Sequence, residues 1–287
     1  MINGNAFKDS TQNIVLCADD FGLDSGIDRA IIALAEKGRI SAASCMVGGR
    51  SWRQSAPMLA VAQPGIAAGL HLTFTDLVPL GAMKQLAPGG QLPRLGQLLR
   101  LALTGGLDPD EIRAECRRQI DGFTDAMGVK PHHIDGHQHV HCFPVIRDSV
   151  IELAAEYGCA VRSCATPPGQ ILNGNAVWRK AAAVNLMGRG FRAALTAAHI
   201  PHNRQFFGLH DFSPDADICG RYMRWISAAK DAALINCHPG DGNMPNDSIA
   251  AWRAHEYRFL QSEDFTGLLQ ETGRRVERFT LPLAPAG

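Results

Sequence analysis

The 287-residue chain has no surplus of charge: 28 Lys and Arg balance 28 Asp and Glu, for a formal net charge of zero. A dedicated nucleic-acid binder concentrates basic residues, so that class of partner is set aside. The opening stretch, MINGNAFKDSTQN, lacks the apolar core of a signal peptide. Residues 54–75 carry no formal charge, but Pro57, Pro64, Gly65 and Gly69 divide them into a helix-like and a strand-like piece, so no membrane span is expected. The eight cysteines include no CxxC pair, which removes a small disulfide scaffold and fits a reducing compartment. Cytoplasmic placement follows as the expectation. Cys17, Cys45 and Cys237 lie near the ends of apolar runs, where a thiol packs as a small hydrophobe, and Cys142 beside His141 is read as a chance adjacency. There is no G-x-S-x-G, no P-loop, no dinucleotide fingerprint and no internal repeat, so serine-hydrolase and nucleotide chemistry have no support.

What is present is an alternation of strands and helices. At 46% hydrophobic and 20% charged the composition is that of a globular enzyme. Asn13–Ala18 is a continuous apolar run, the mark of a strand buried on both faces. A helix follows, capped at Asp24 or Ser25, with Ile27, Ile31 and Leu34 on one face and Gly38 as its stop. A strand at 42–47, a helix at 51–63 and a strand at 66–72 come next. Residues 76–108 read as an irregular excursion, a functional loop or lid, around an apolar 95–103 segment. Asp108, Pro109 and Glu111 open a helix that Gly128 closes. Further helices are expected at 144–157, 249–261 and 262–271, and strands at 160–163, 205–209, 232–237 and 276–280. Residues 158–210 contain no Asp or Glu but carry six Lys or Arg, and their Ala-rich helix is expected to break at Gly188 and Gly190. Those charges belong either to an outer helix balanced by acidic neighbours or to a rim for an anionic substrate. The pattern predicts an α/β fold, a TIM-like (β/α) barrel that is incomplete or distorted, with a doubly wound open sheet as the alternative. Residues 1–12 are expected to form a loosely packed tail and 13–287 a single domain.

Chemistry-bearing residues fall at four predicted strand ends, and in parallel α/β folds those ends converge on one face. Asp19 and Asp20 follow the first strand, and both can serve one site only if the strand has ended by Ala18. Otherwise they are a turn-forming, helix-capping pair. His71 is a lone imidazole in an apolar strand, either a hydrogen-bonded core residue or a ligand. Five of eleven histidines fall between His132 and His141 together with Asp135. His133, Asp135, His137 and His139 share a face if that stretch is extended, whereas His137 and His141 share one if it is helical, so spacing alone leaves the ligand open. His238 sits at a rigid His-Pro-Gly turn. One Asp and two His make a first shell for a catalytic divalent ion with open positions.

The motifs ADDFG, GLHLT, HIDGHQHVH and CHPG, in that order from Ile14 to Gly240, resemble the YdjC-like carbohydrate deacetylases, a group that includes chitooligosaccharide deacetylases and hopanoid-biosynthesis-associated deacetylases. The resemblance implies a barrel-like, metal-dependent hydrolase that removes N-acetyl groups from amino-sugar-containing carbohydrates and releases acetate. It implies Asp20, His71 and His137 as metal ligands, Asp19 as general base and His238 as general acid. Asp135, His139 and Arg162 would support the ligands or the substrate, with Arg162 orienting Asp19. The family's triple His reads His137-Gln138-His139 here, a departure that spares the ligand. Zinc or magnesium is the expected ion, with manganese, cobalt and iron also suited to such donors. The partner would be an acetylated amino sugar, and the chain is compatible with a homo-oligomer. The competing functions are a metal-dependent amidohydrolase or phosphoesterase acting on a non-sugar or lipid-linked substrate, and a non-catalytic sugar-binding protein.

Overall fold

A computed structural model describes residues 13–62, 65–167, 177–213, 216–230 and 233–278, without the side chains of 177–183 and 185. Eight strands form one sheet in which every pairing is parallel. They are β1 (Asn13–Phe21), β2 (Ala42–Cys45), β3 (Ala67–Leu72), β4 (His133–Gly136), β5 (Ala160–Val161), β6 (Gln205–Phe207), β7 (Ala233–Cys237) and β8 (Arg275–Val276). The order β5-β4-β3-β2-β1-β7-β6 curls until Val161 of β5 meets His202, just ahead of β6, in an isolated parallel bridge. β8 pairs only with the first two residues of β1. This is the distorted (β/α) barrel that the alternation predicts, with a seam where β5 and β6 barely touch.

Helices cover the outside: α1 (Ser25–Glu36), α2 (Trp52–Ala62), α3 (Leu95–Thr104), α4 (Pro109–Met127), α5 (Ile146–Tyr157), α6 (Val177–Ala197), α7 (Ile218–Ala228), α8 (Ala250–Gln261) and α9 (Glu263–Glu271). The caps follow the residue chemistry. Asp24 accepts the Gly26 N–H and Asp108 accepts those of Asp110 and Glu111, while Gly105, Gly128 and Gly158 end α3, α4 and α5 in the left-handed region. Strands β2, β3, β4 and β7 are buried at every residue, as strands covered on both faces must be. The barrel interior is nevertheless polar. Gly69 makes room for this, since a Cβ there would lie 2.3 Å from the His133 ring.

Four expectations need correction. β1 does not stop at Ala18 but continues to Phe21 through a register shift. The excursion after β3 is not wholly irregular, because its apolar segment folds as α3. α6 runs unbroken through Gly188 and Gly190. Gly188 serves close packing there, since a Cβ at that position would sit 2.8 Å from the Cys164 carbonyl carbon. Helix α7, capped by Asp217, was not anticipated between β6 and β7, and a modest apolar stripe of Ile218, Tyr222, Trp225 and Ile226 is the signal that announces it. The expected tail at 1–12 and the last strand beyond residue 278 lie outside the described residues.

Candidate active site

The site begins with a backbone irregularity. Between Ala18 and Phe21 the register of β1 against β2 slips, and Asp20 takes a φ of +70°. Consecutive strand residues normally face opposite sides, and this bulge turns both carboxylates toward one cavity. Strain at a non-glycine residue of this kind persists only where surrounding contacts enforce it, and here they do. Asp20 Oδ2 accepts Arg253 Nη2 at 2.6 Å, while its Oδ1 lies 3.0 Å from His137 Nδ1 and 3.4 Å from His71 Nε2. Donor atoms of Asp20, His71 and His137 all lie within 4.8 Å of one another, so these three could hold a metal ion.

The His71 imidazole is set by a partner behind it. His71 Nδ1 lies 2.6 Å from Asp135 Oδ1, an arrangement that puts the ring proton on Nδ1 and turns the Nε2 lone pair toward Asp20. That donor chemistry fits a divalent cation. Without one, burial disfavours a charged His71, yet Asp135 and Asp19 override it and hold the ring up at about 10. His137 comes from the turn that ends β4. The strand stops at Gly136 and residues 137–142 form a short 3-10 segment, with Gln138 and His139 at positive φ. The histidine-rich stretch is therefore extended for His133 and Asp135 and turned from His137 onward. That split brings His71 and His137 together from different strands, with ring centroids 5.7 Å apart.

Arg162 joins the two buried carboxylates Asp19 and Asp135. It is fully buried after β5 and grips Asp19 with two hydrogen bonds of 2.6 and 2.7 Å. It also lies 2.6 Å from Asp135 Oδ2, which accepts the Ser44 hydroxyl at 2.6 Å as well. Burial raises the Asp19 carboxyl, but the Arg162 guanidinium outweighs it and keeps the group below its ordinary value. Asp20 is likewise held well down against burial, chiefly by Arg253 and His137. Asp19 Oδ2 faces His238 Nε2 at 3.8 Å and Asn236 Nδ2 at 3.3 Å. Burial pushes His238 down to about 4 in spite of the two nearby carboxylates.

These side chains line a cavity of about 540 Å³ with an apolar wall that includes Leu23, Leu77, Leu209, Phe212, Met244 and Ile249. His139 also lines it, edge-on to Phe206 and 3.5 Å from Cys164 Sγ. Among the described residues the acid-free segment supplies no basic rim, the side chains of Arg179 and Lys180 lying outside them. Arg162 points inward, and Arg189, Arg192 and Arg204 are exposed and outside the cavity lining.

Sequence reasoning did not find Ser44, Asn236, Arg253 or Glu256. Arg253 and Glu256 lie three apart on the buried face of α8, alongside Trp252 and Leu260, and charged residues on an apolar helix face are the signal that could have revealed them. Glu256 accepts the His238 backbone N–H at 2.5 Å and the Tyr222 hydroxyl at 2.8 Å. Burial pushes its carboxyl from an ordinary 4.5 up to about 7, against those two donors. A carboxyl raised in the folded state contributes stability below its unfolded value, and that contribution is lost as pH rises through its folded value. The unfolding free energy of the protein is therefore expected to fall by on the order of 3 kcal/mol between about pH 4.5 and 7 through this group. Urea unfolding of Glu256→Gln across that range should show a correspondingly flatter profile. Parallel profiles for the two proteins would remove Glu256 as the cause.

A parallel barrel-like sheet with a carboxylate and two imidazoles converging at its strand ends defines the class: an α/β protein with side chains at those ends that could hold a divalent ion. The chain belongs to the YdjC-like protein family, whose family model matches residues 13–271. A chitooligosaccharide deacetylase from Enterobacter sp. (strain 638) is 36% identical over 149 residues, 52% of this chain and 58% of that protein. One from Serratia marcescens is 38% identical over 150 residues, with the same shares. The alignment thus spans little more than half the length of the curated relatives it matches. A crystal structure from Enterococcus faecalis V583, named provisionally as a cellobiose-phosphate cleavage protein, superposes with a TM-score of 0.70. It is 17% identical and covers 93% of this chain and 97% of that one, a likeness of fold.

Proposed function

We propose that the protein is a metal-dependent carbohydrate N-deacetylase that hydrolyses the acetamide of an N-acetylglucosamine-type oligosaccharide or glycoconjugate to acetate and a free amine. The observation that carries this reading is the meeting of Asp20, His71 and His137 at one point, with Arg162-bound Asp19 and His238 facing each other beside it. Family membership and the deacetylase relatives support it. A divalent ion held by those three side chains would supply Lewis acidity, polarising the amide carbonyl and acidifying a water next to it.

The chain's own residues supply the rest. Asp19, kept ionised and oriented by Arg162, takes a proton from the attacking water. An ionised carboxylate held low is a weak base, so it suits a water already acidified. As the water oxygen bonds to the carbonyl carbon and the C–N bond breaks, the departing nitrogen needs a proton. His238 Nε2 faces Asp19 Oδ2, and it passes the proton taken from water to that nitrogen. His238 is neutral at rest, so it is charged only in transit. The apolar wall suits the acetyl methyl and the C–H faces of a sugar ring. Phosphoester cleavage is disfavoured because Arg253, the guanidinium lining the cavity among the described residues, is already committed to Asp20 and Asp247.

Acetate release should be lost on chelation and return on adding back a divalent ion. Asp20→Ala and His137→Ala should each lose the bound ion and all detectable acetate release, and Asp135→Asn should cost about 10- to 100-fold through misorientation of His71. The check is a panel of N-acetylated mono-, oligo- and lipid-linked sugars scored for acetate, with phosphate esters scored in parallel. Wild-type acetate release by the Asp20 and His137 variants would overturn the ligand assignment, and phosphate release would overturn the reaction class.

A further inference from the structure

Behind the cavity wall lies a second group of metal-binding side chains that the deacetylase reading does not use. We propose that His141, Cys142 and Cys164 form a buried site for a thiophilic, zinc-like divalent cation. Donor atoms of His141, Cys142 and Cys164 lie within 4.8 Å of one another, and all three residues are buried. Cys164 Sγ lies 3.5 Å from His141 Nε2 and 3.5 Å from His139 Nδ1. Bond lengths of about 2.0 to 2.1 Å for Zn–N and about 2.3 Å for Zn–S place N and S ligands of a tetrahedral ion about 3.6 Å apart. The observed separations match that edge.

The donor chemistry differs from that of the first site. Two thiols and imidazole select borderline-soft cations, whereas Asp20, His71 and His137 suit a harder range of ions. Charge also balances. Two thiolates neutralise a dication, so the bound cluster carries no net charge into a region that excludes water. Binding is an exchange in which each cysteine releases its proton to solvent as its sulfur bonds the ion. His141 Nε2 lies 3.1 Å from the Arg162 carbonyl oxygen, and Nδ1 is buried without a hydrogen-bond partner. In the structure Nε2 donates to that carbonyl, so ligation would require His141 to give up this hydrogen bond and carry its ring proton on Nδ1.

Position gives the site its consequence. Cys142 closes the turn that begins with His137, and Cys164 follows Arg162 by two residues. An ion between them ties the turn that presents one candidate ligand to the strand exit that presents the arginine holding Asp19. The adjacency of His141 and Cys142 is then a functional pair rather than chance.

The test is reconstitution of the metal-free full-length protein with Co²⁺, read by optical absorption and by bound equivalents. Wild type should bind about two equivalents, one of them with a thiolate-to-cobalt charge-transfer band. Asp20→Ala should keep the thiolate band and lose the other equivalent, while Cys142→Ser and Cys164→Ser should each lose the band. Absence of a thiolate band in wild type at saturating Co²⁺, or its persistence in both serine variants, would overturn the proposal. If a serine variant does not fold, the wild-type and Asp20→Ala spectra decide by themselves. Because the readout is a sulfur-specific band, its failure is separate from any failure of the deacetylase reading.

Discussion

Asp19→Asn is expected to lower acetate release by about 10²- to 10⁴-fold, the usual worth of a positioned general base, while a divalent ion still binds. The expectation rests on where Asp19 sits. Its two oxygens are taken up by Arg162, and Oδ2 alone also faces His238 at 3.8 Å. The proposed ligands Asp20, His71 and His137 are all retained in this variant, although Asp19 also converges with His71 and Asp135. An asparagine preserves shape and can still accept from Arg162 through its amide oxygen, and Arg162 keeps Asp135 at 2.6 Å as a counter-charge. The loss should therefore fall on kcat rather than on ion affinity. Arg162 holds Asp19 below its ordinary value, so this group stays ionised throughout the weakly acidic range and any acidic limb of activity there must come from other residues. Steady-state acetate release paired with metal content checks the prediction. Wild-type turnover with full metal content would remove Asp19 from the chemistry.

Arg162→Met should cost about 3 to 5 kcal/mol of stability, the penalty for breaking a buried ion pair from one side. Arg162 is wholly buried and touches Asp19, Asp135, Ser44 and Cys17. Removing it strands two buried carboxylates in one another's company. In the wild type, burial alone would raise Asp135, but Arg162 and His71 hold it well below the ordinary range. Such depressed carboxylates contribute stability above their unfolded values, and that contribution is lost as pH falls through their folded values. Without the arginine their values rise, so the variant should be relatively worse at pH 8 than at pH 5. Arg162→Lys should recover only part of the loss, since an ammonium cannot supply the planar fork that grips both Asp19 oxygens. Urea unfolding of the three proteins at the two pH values is the measurement. A pH-independent cost would show that packing, not charge, is what Arg162 contributes.

Both expectations depend on contacts that the motifs hint at unevenly. Asp19, Asp20, His71 and His238 stand at strand ends where a reader of the sequence can pick them out. Their neighbours are less visible. Arg253 arrives from α8, more than 230 residues after the aspartate it binds, and nothing near Asp20 in the chain announces it. Glu256 reaches the backbone of His238 rather than its side chain, a contact that leaves no motif. The bulge at Asp20 was also hidden, because an apolar run reads as a strand whether or not its register slips. In the other direction, Gly188 looked like a helix breaker and proved to be a packing residue, since propensity is a local quantity that a tertiary contact overrides.

By itself, the sequence determined most of the succession of strands and helices (α3 and α7 excepted), several of their caps and the parallel, barrel-like class, because periodicity and capping are short-range properties written in neighbouring residues. It also marked the strand ends as the place for chemistry. Spacing left open which of the five clustered histidines meets Asp20 and His71, and the family resemblance pointed to His137; the tertiary structure brings that residue to them, and it alone decided how two adjacent aspartates come to face one cavity and that Arg253 holds Asp20 there. Those outcomes depend on a one-residue register slip in β1, on the point where β4 gives way to a turn, and on side chains brought from distant helices, and such distances are closed by packing rather than by spacing along the chain.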